Sequence, residues 1–593
     1  MRNKLTLGAV RYWPVVALVL LMPLWIIGLF YRGIWSPDEP REFDIAYNML
    51  RSGDLVVPQL AGTPFVEKPP LAYWVQSASM RLFGASIAAA RLPNVLWAAL
   101  AVLSIGALAG DAAGERNRQR AALTAAVLCA SILLVLQVQI WLATDAPLVA
   151  FTAVALLSGW RLAHADTLQR QLAWSLLFGS SLAGAALAKN GFGLLVPILT
   201  LLAWLAWEGQ LRELRRWPWW VAAGTCALIV GAWLIALVGR PGGGELLHAL
   251  LWDNLVARFV PVKSSGTYDL GHQSSHWKFL LLLPVYVLPW TFAVLGTGRW
   301  LVDAARGSTE SGRAVRYCIC AIAPACIVLL MSRTARGVYF APALLCVAVL
   351  LALWVSERSD AFSSFEQTAL RLTRYTLQTL TILFSATAAL LLVMVGIHAI
   401  AAVAALALIA FALVSVVMSL RASAGLMHGL VVATGLFFAS LVAFQLVAFP
   451  ILDRSGNLGA LIAEAEAQLR VSRVALYCTD ETTPATLDYV LNLRPPQVCG
   501  DADARRMLNA HVDQRFLVLL APPRTEQRLQ ELFPDSRLRL RVRPPRTSSS
   551  VTDLISLGLR PTACWSMPGG RKYALYGRSS DPSAASASCA PTE

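Results

Sequence analysis

The stretch MRNKLTLGAVRYWPVVALVLLMPLWIIGLF (residues 1–30) decides the class of fold. A basic start precedes an apolar run of about 20 residues, which is long enough to cross a hydrocarbon core as a helix. No small-residue cleavage site of the Ala-x-Ala kind follows the run. We therefore expect a retained transmembrane helix rather than a cleaved signal peptide.

The composition extends this conclusion to the rest of the chain. Of 593 residues, 57% are hydrophobic and 14% are charged, with a mean hydropathy of +0.58. Soluble domains carry about 25% charged residues, so lipid must solvate much of this surface. The net charge of +15 is spread in short clusters between apolar runs, which argues against a nucleic-acid partner and favours anionic membrane lipids.

Apolar windows predict about thirteen membrane-spanning helices. The windows 172–188 and 192–207 are short, so a re-entrant segment stays open there. The full set is 12–30, 89–109, 121–141, 146–163, 172–188, 192–207, 218–238, 279–297, 317–332, 337–356, 375–397, 399–420 and 427–451.

Arginine-bearing loops indicate the orientation, because short cytoplasmic loops are enriched in Lys and Arg. One alternate set of connections carries them and defines the cytoplasm: 114–120, 161–170, 211–216, 299–316 and 356–374. The opposite, non-cytoplasmic set comprises the loop 31–88, the turns near Asp145 and at Lys189-Asn190, the loop 239–278 and the turn 332–337. An odd number of spans then places the chain after about residue 452 outside the cytoplasm as well.

The sequence thus predicts an all-α polytopic membrane bundle over 1–451 and a C-terminal α/β domain over 452–578. Residues 579–593 are rich in Ser, Ala and Pro and are expected to be disordered. An oxidising compartment would allow Cys478 and Cys499 to pair, although the sequence alone does not assign partners. The domain's predicted strands are 471–480, 515–523 and 572–578, and its helices are 458–471 and 525–533.

The loop 31–88 holds the most informative polar residues. Asp38 directly follows the first span, and REFDIAYNMLRSG (41–53) has the pattern of an interfacial amphipathic helix ended by Gly53. Lys68 stands in Glu-Lys-Pro-Pro, where the prolines restrict the backbone. A rigid lysine at the membrane surface suits a phosphate ligand.

Asp145 is a second candidate, since it lies between apolar spans in QVQIWLATDAPLVAF. Ionisable groups at membrane depth are costly and mark functional sites. The alternative is that Asp145 caps the helix beginning with APLVAF. The two interpretations are compatible.

Two further segments on the same side carry cations and histidines. The loop 239–278 contains Arg258, His272 and His276, and a histidine pair alone is a weak metal signal. The segment SRTARGVYFAP (332–342) has two arginines, and the predicted orientation places them outside the cytoplasm, against the positive-inside rule. Either these arginines bind an anion, or one of the predicted spans is wrongly placed.

These polar residues converge on one membrane face under an orientation assigned from other residues. Two carboxylates and several cations on one face suit transfer chemistry on an anionic lipid substrate. The converging residues are Asp38, Lys68, Asp145, Lys189, Arg258 and Arg336.

At these positions the sequence resembles the GT-C-type membrane glycosyltransferases, and within them the bacterial aminoarabinose (lipid A) transferase family. WSPDEPRE (35–42) and the GD…EKPPLAYW run (53–74) together are highly specific. ATDAP (143–147), LAKNG (187–191) and the pair Tyr339 and Pro342 support them. The motifs cover roughly residues 10–350, and the remainder matches in layout only.

The resemblance implies a helical bundle that transfers a sugar, 4-amino-4-deoxy-L-arabinose in that family, from undecaprenyl phosphate to lipid A phosphate. The reaction would take place at the periplasmic face of the bacterial inner membrane. Asp38 and Asp145 match the family's two acids, and Glu67 and His272 match a pair that would hold a divalent metal such as zinc. The implied substrate-binding residues are Glu39, Arg41, Lys68, Lys189, Arg258, Arg336 and Tyr339.

The chain departs from the family pattern in two places, which leaves the sugar and the acceptor open. Arg333 and Arg336 stand where Ser-Lys-x-x-x-Tyr is usual, and Lys278-Phe279 replaces paired tyrosines. One alternative is a protein O-mannosyltransferase-like or other envelope glycosyltransferase with a hydroxyl acceptor. Another is a transporter or flippase, which would bury its charges near the bilayer midplane in internally repeated, broken helices.

Overall fold

A computed structural model describes most of the chain, and its secondary structure is predominantly helical. The statements below refer to the described residues. These are 12–35, 37–254, 256, 276–332, 336–358, 361–395, 399–421, 425–471, 473–511, 513–520, 549–566 and 571–578.

The first half of the bundle is a series of apolar helices interrupted by a polar insertion after the first helix. Intrahelical hydrogen bonds satisfy the backbone polar groups that lipid cannot. The elements in order are α1 Trp13–Phe30, α2 Asp38–Ser52, β1 Gln59–Leu60, β2 Thr63–Pro64, α3 Leu71–Phe83, α4 Ile87–Ala112, α5 Gly114–Ser131, α6 Leu133–Gln139, α7 Asp145–Ala163, α8 Leu168–Trp207 and α9 Trp217–Val238.

The second half continues the bundle with shorter helices first and longer ones after. The elements are α10 Gly243–His248, α11 His276–Tyr286, α12 Thr291–Gly296, α13 Gly298–Arg306, α14 Glu310–Met331, α15 Ala341–Arg358, α16 Ser364–Val395, α17 Ala399–Arg421 and α18 Leu426–Gly456. The most enclosed of these long helices, α15, is almost wholly buried and lies at the centre of the bundle.

By length and apolar composition, nine helices in the described part of the chain can cross a membrane, or ten if the bent pair α5–α6 forms one span. This count is lower than the predicted thirteen. The window 279–297 accounts for part of the difference, because it is divided between α11 and α12 at the Leu288-Pro289 peptide. The multi-pass architecture itself is confirmed.

Helix α8 accounts for another part of the difference, because it contains two helices. Its 40 residues would extend about 60 Å if straight, twice the hydrocarbon thickness. Lys189 and Asn190 have non-helical dihedral angles, and a Cβ on Gly193 would lie 1.9 Å from the carbonyl oxygen of Ala185. The chain therefore folds back at 189–190, where the sequence predicted a turn.

The polar insertion contains the helix predicted over 41–53, and its interfacial position stays a prediction. Helix α2 ends before Gly53, which has a φ of 71° and terminates the helix in the left-handed region. The short β1–β2 hairpin and α3 complete the insertion, and Phe43, Met49, Tyr73 and Met80 share a small apolar core between α2 and α3. This core positions the polar face of α2.

The C-terminal α/β domain is also present. Its elements are α19 Leu458–Glu464, α20 Glu466–Val471, β3 Arg473–Tyr477, α21 Thr482–Leu491, β4 Gln497–Val498, α22 Asp501–Ala510, β5 Gln514–Leu519, α23 Ser549–Ser556, β6 Leu559–Ser566 and β7 Lys572–Arg578.

The domain's five-stranded sheet has the order β4-β3-β5-β7-β6. Strand β3 pairs in parallel with β4 and β5, whereas β7 pairs antiparallel with β5 and β6. The three predicted strands are confirmed, and the predicted helix 458–471 is divided into α19 and α20. The predicted helix 525–533 and the predicted disordered tail 579–593 lie outside the described residues.

A disulfide joins Cys478 to Cys499, with a Cα–Cα distance of 4.7 Å, as the sequence allowed. It connects the loop after β3 to the loop after β4. The membrane helices instead contain free cysteines, among them buried Cys129, Cys318 and Cys346.

The C-terminal domain packs directly on the polar insertion through α21 and α2. Phe43 and Tyr489 meet edge to face at 5.1 Å between ring centroids. Beside them, the amide of Asn48 donates to Asp488 at 2.9 Å, and Arg51 pairs with Asp488 at 2.9 Å. This interface holds one side of α2 in place.

Candidate functional site

Glu39 anchors the beginning of α2 to the bundle. Its fully buried carboxylate accepts hydrogen bonds from Arg32 and Arg91, each as close as 2.8 Å or less, and from the backbone N–H groups of Trp35 and Leu142 at 2.9 Å. Burial raises the pKa of this carboxyl group, but the charges of Arg91 and Arg32 outweigh it, so the net shift of the Glu39 pKa is downward. The geometry supports a structural role for Glu39, and the predicted substrate contact stays a prediction.

Asp38 and Arg41 form the more open part of the same helix. The two side chains lie one turn apart and pair at 2.8 Å, with 30% of Asp38 and 16% of Arg41 exposed. Arg336 approaches Asp38 at 3.8 Å from the segment before α15. The structure therefore brings together three of the predicted site residues.

Arg41 is also surrounded by further carboxylates. Glu67 lies 3.8 Å away, and Glu481 of the C-terminal domain contacts the guanidinium directly. Burial lowers the pKa of Arg41, but Glu67, Glu42 and the other carboxylates raise it by more. Arg41 is thus a firmly charged cation shared between the bundle and the C-terminal domain.

Lys68 lies on the same face and pairs with Glu42, which is buried in α2. Burial lowers the pKa of Lys68, but the carboxylates of Glu42 and Glu67 raise it above the ordinary value. The ammonium is therefore charged, and 16% of the side chain stays exposed. Such a cation can exchange its carboxylate partner for an incoming anion.

Asp145 and Lys189 form a second ion pair, between the first turn of α7 and the break in α8. The Lys189 ammonium also lies 4.1 Å from the centre of the Tyr339 ring. The capping position of α7 belongs to Thr144, so Asp145 is the first helical residue and not the cap that the alternative interpretation assumed. Its side chain instead contacts the neighbouring cation.

Asn190 connects the two ion-pair groups. Its side-chain amide donates a hydrogen bond of 3.2 Å to the backbone carbonyl of Glu67. Glu67 and Lys68 are adjacent in the chain, as are Lys189 and Asn190. The described members of the predicted site therefore form one connected polar region at one end of the bundle.

Two predicted site residues, Arg258 and His272, lie outside the described residues. Within the described part of the chain, no group of three or more His, Cys, Asp or Glu side chains is placed to hold a metal. Glu67 alone supplies one carboxylate, next to the Arg41 cation, which does not make a zinc site. The Glu67–His272 metal pair stays a prediction, and no chemical step is assigned to it.

Sequence reasoning missed several residues that shape this site. Arg91 had a usable signal, because an arginine inside the apolar helix α4 requires a buried partner. Glu42 lies in the predicted helix 41–53 and was given no role in the site, yet it holds Lys68. Glu481 had no local signal, since its role depends on how the C-terminal domain packs on α2.

Comparison with known proteins agrees with this architecture. The family model for dolichyl-phosphate-mannose-protein mannosyltransferase matches residues 13–240. Two curated relatives are undecaprenyl phosphate-alpha-4-amino-4-deoxy-L-arabinose arabinosyl transferases. The one from Shewanella sediminis is 28% identical, covering 53% of this chain and 59% of the relative. The one from Erwinia tasmaniensis is 28% identical, covering 59% of each. The chain thus spans about three fifths of the length of these relatives.

Solved structures extend the similarity in fold over nearly the whole chain. The crystal structure of ArnT from Cupriavidus metallidurans bound to undecaprenyl phosphate has a TM-score of 0.64 and 19% identity, covering 95% of this chain and 98% of that one. The apo structure of the same protein has a TM-score of 0.64 and 20% identity, covering 96% and 98%.

The fold is that of a multi-pass membrane protein with the GT-C-type helical bundle predicted from the sequence. The curated relatives confirm the predicted resemblance to the aminoarabinose transferase family, and the solved structures share its fold.

Proposed function

We propose that this chain is a glycosyltransferase that moves 4-amino-4-deoxy-L-arabinose from undecaprenyl phosphate to a phosphate of lipid A at the periplasmic face of the inner membrane. The observation that carries the proposal is the connected polar region around Arg41, Lys68 and Lys189. Each of these cations pairs with a carboxylate and stays partly exposed. The names of the curated relatives and of the ArnT complex support the donor and the sugar.

The donor phosphate is assigned to Arg41 and Lys68. When the sugar leaves, its carrier becomes a phosphate monoester and gains negative charge. Two fixed cations placed at that point stabilise the developing charge more than they stabilise the intact donor. The excess of carboxylates around these cations keeps them charged and oriented before the donor enters.

The transfer step needs no base when the acceptor is a lipid A phosphate. An acceptor phosphate oxygen attacks the anomeric carbon, and the bond from that carbon to the carrier phosphate oxygen breaks. The electron pair of the broken bond leaves with undecaprenyl phosphate. Asp38, paired with Arg41 at 2.8 Å, would then orient the sugar or stabilise positive charge that develops on its ring.

A second candidate is supported by the family model that matches residues 13–240, which is named for a protein mannosyltransferase. With a hydroxyl acceptor, the same bond would break, and the acceptor proton would have to go to a general base. Asp38 is the candidate because it is the more exposed of the two acids predicted to be chemical. The two candidates differ in acceptor, not in donor.

The periplasmic orientation is supported by the disulfide Cys478–Cys499, because disulfides persist in oxidising compartments. The domain that contains it contacts Arg41 through Glu481, so the site and the domain share one side. A reporter fused after Arg454 tests this orientation. A fusion active only in the cytoplasm would overturn it.

The decisive experiment is mass spectrometry of lipid A and of envelope glycans with and without the gene. Purified protein, undecaprenyl-phosphate-linked aminoarabinose and lipid A should then reproduce the same product. The account expects an aminoarabinose mass difference on lipid A phosphate. A difference confined to protein or glycan hydroxyl groups would favour the second candidate.

A further inference from the structure

Asn190 combines a strained backbone with a side-chain amide whose nitrogen is hydrogen-bonded and whose oxygen has no partner among the described residues. Its φ of 53° and ψ of −151° lie in a region that non-glycine residues rarely adopt. Glycine would fill this position without strain, and glycines stand at 191 and 193 of the same turn. A side chain is therefore retained here at a cost, which calls for a reason.

The hydrogen bonding of the amide fixes its orientation. Its nitrogen donates to the Glu67 carbonyl oxygen, which can only accept, so the two ends of the amide are assigned unambiguously. The oxygen, Oδ1, is buried and has no hydrogen-bond partner among the described residues. Buried amide oxygens are nearly always hydrogen-bonded, so this one is expected to find its donor in a bound molecule.

The surroundings define the kind of molecule. Lys189 on one side pairs with Asp145, and Glu67 on the other side precedes Lys68 and lies near Arg41. If Arg41 and Lys68 hold the carrier phosphate, the group attached to that phosphate lies beside them. A hydrogen-bond acceptor on this side of the phosphate site suits a hydroxyl or amino group of the attached sugar.

We propose that Asn190 is a specificity-determining residue that accepts a hydrogen bond from a hydroxyl or amino group of the donor's sugar. The inference rests on the proposed function. In this account, the amide nitrogen fixes the Glu67-Lys68 backbone, and the amide oxygen faces the sugar. The unusual backbone conformation places the amide nitrogen against Glu67 and the amide oxygen against the sugar.

The experiment uses the full-length protein in lipid nanodiscs and the variant Asn190→Gly, which relieves the backbone strain and removes the amide. We expect a melting temperature at or above that of the wild type. Loss of the hydrogen bond to Glu67 should weaken both carriers alike, because it loosens the Glu67-Lys68 backbone. Affinity for the sugar-linked carrier should fall about fivefold or more beyond any loss for bare undecaprenyl phosphate, as for one further hydrogen bond lost to a bound ligand. Turnover should fall with that affinity.

A matched control is Asn94→Ala, which removes a buried amide that donates to the backbone carbonyls of Gln139 and Trp141. It should lower the melting temperature and leave the ratio of the two affinities unchanged. If Asn190→Gly leaves that ratio unchanged too, Asn190 is only a structural turn residue satisfied by water, and the inference is overturned.

The binding comparison also separates this inference from the proposed function. Absence of lipid A transfer by the wild type would contradict the proposed acceptor, while the affinity ratio would still decide on Asn190. Transfer by the wild type with full activity of Asn190→Gly would contradict the inference alone.

Discussion

Two ion clusters on the same helix, α2, differ in how completely they are enclosed. Around Glu39, two arginines and two backbone N–H groups surround a carboxylate that has no exposed surface. Around Arg41 of the same helix, and around Lys68, which pairs with Glu42 of that helix, the pairs keep exposed faces. A saturated cluster can only hold the fold together, whereas a partly open cluster can exchange one partner for a ligand.

Glu39→Ala tests the enclosed cluster and should have the largest effect. Removing the carboxylate leaves Arg32 and Arg91 buried without their counter-ion, which typically costs about 3–5 kcal/mol of stability. We expect a large loss of melting temperature or failure to accumulate in the membrane. A variant that melts near the wild-type temperature would contradict the structural role.

The same cluster predicts an acid sensitivity. Because the Glu39 pKa is lowered from its ordinary 4.5, its stabilisation is complete above about pH 4.5 and is lost as the pH falls through the folded-state pKa. Thermal melts across pH 3–7 should show the loss in the wild type. Glu39→Gln should show less of it.

Asp38→Asn tests the open cluster at the most exposed carboxylate that α2 contributes to it. The amide keeps the shape but loses the charge and the pairing with Arg41, so turnover should fall by about a hundredfold, within the range of lost acid–base or charge stabilisation. Stability should change by less than about 1 kcal/mol, as for a partly exposed pair. Wild-type turnover would remove Asp38 from the chemistry.

Glu481→Gln should have the smallest effect, and it should improve ligand binding where the other substitutions impair function or stability. Glu481 contacts Arg41 and is 47% exposed, so it competes with a phosphate for that cation. Removing its charge should strengthen the binding of undecaprenyl phosphate about two- to fivefold, which corresponds to the energy of an exposed ion pair. Weaker binding would show instead that Glu481 positions Arg41 for the ligand.

The contrast also explains what the sequence could and could not reveal. Asp38 and Lys68 could be identified from the sequence because each stands in a local context, after a span or before two prolines, that restricts its position. The burial of Glu39 could not be predicted, because Arg91 lies 52 residues away and contacts it only after the helices pack. The role of Glu481 depends on a contact over a separation of 440 residues.

Helix boundaries followed a similar rule. The break at Lys189-Asn190 was predicted because polar residues interrupt an apolar run, which is a local signal. The division of 279–297 into two short helices was missed, because hydropathy averages over the Leu288-Pro289 peptide. Local patterns therefore gave the candidate residues, while packing decided which of them are enclosed.

Binding of the carrier phosphate by the open cluster cannot be tested cleanly with a single substitution. Lys68→Ala leaves the buried Glu42 carboxylate without its cation, so stability and binding would fall together. The double variant Glu42→Gln/Lys68→Met removes both charges and avoids that penalty. Its matched control is Asp166→Asn/Arg170→Ala, an ion pair with both side chains exposed.

The most direct measurement is the affinity of wild type, double variant and control for undecaprenyl phosphate in nanodiscs, with melting temperatures recorded on the same samples. We expect the double variant to lose about tenfold or more in affinity, as for a charge-assisted phosphate contact of about 1.5–3 kcal/mol. The control should bind as the wild type does. A double variant that stays folded and binds within about twofold of the wild type would contradict the claim.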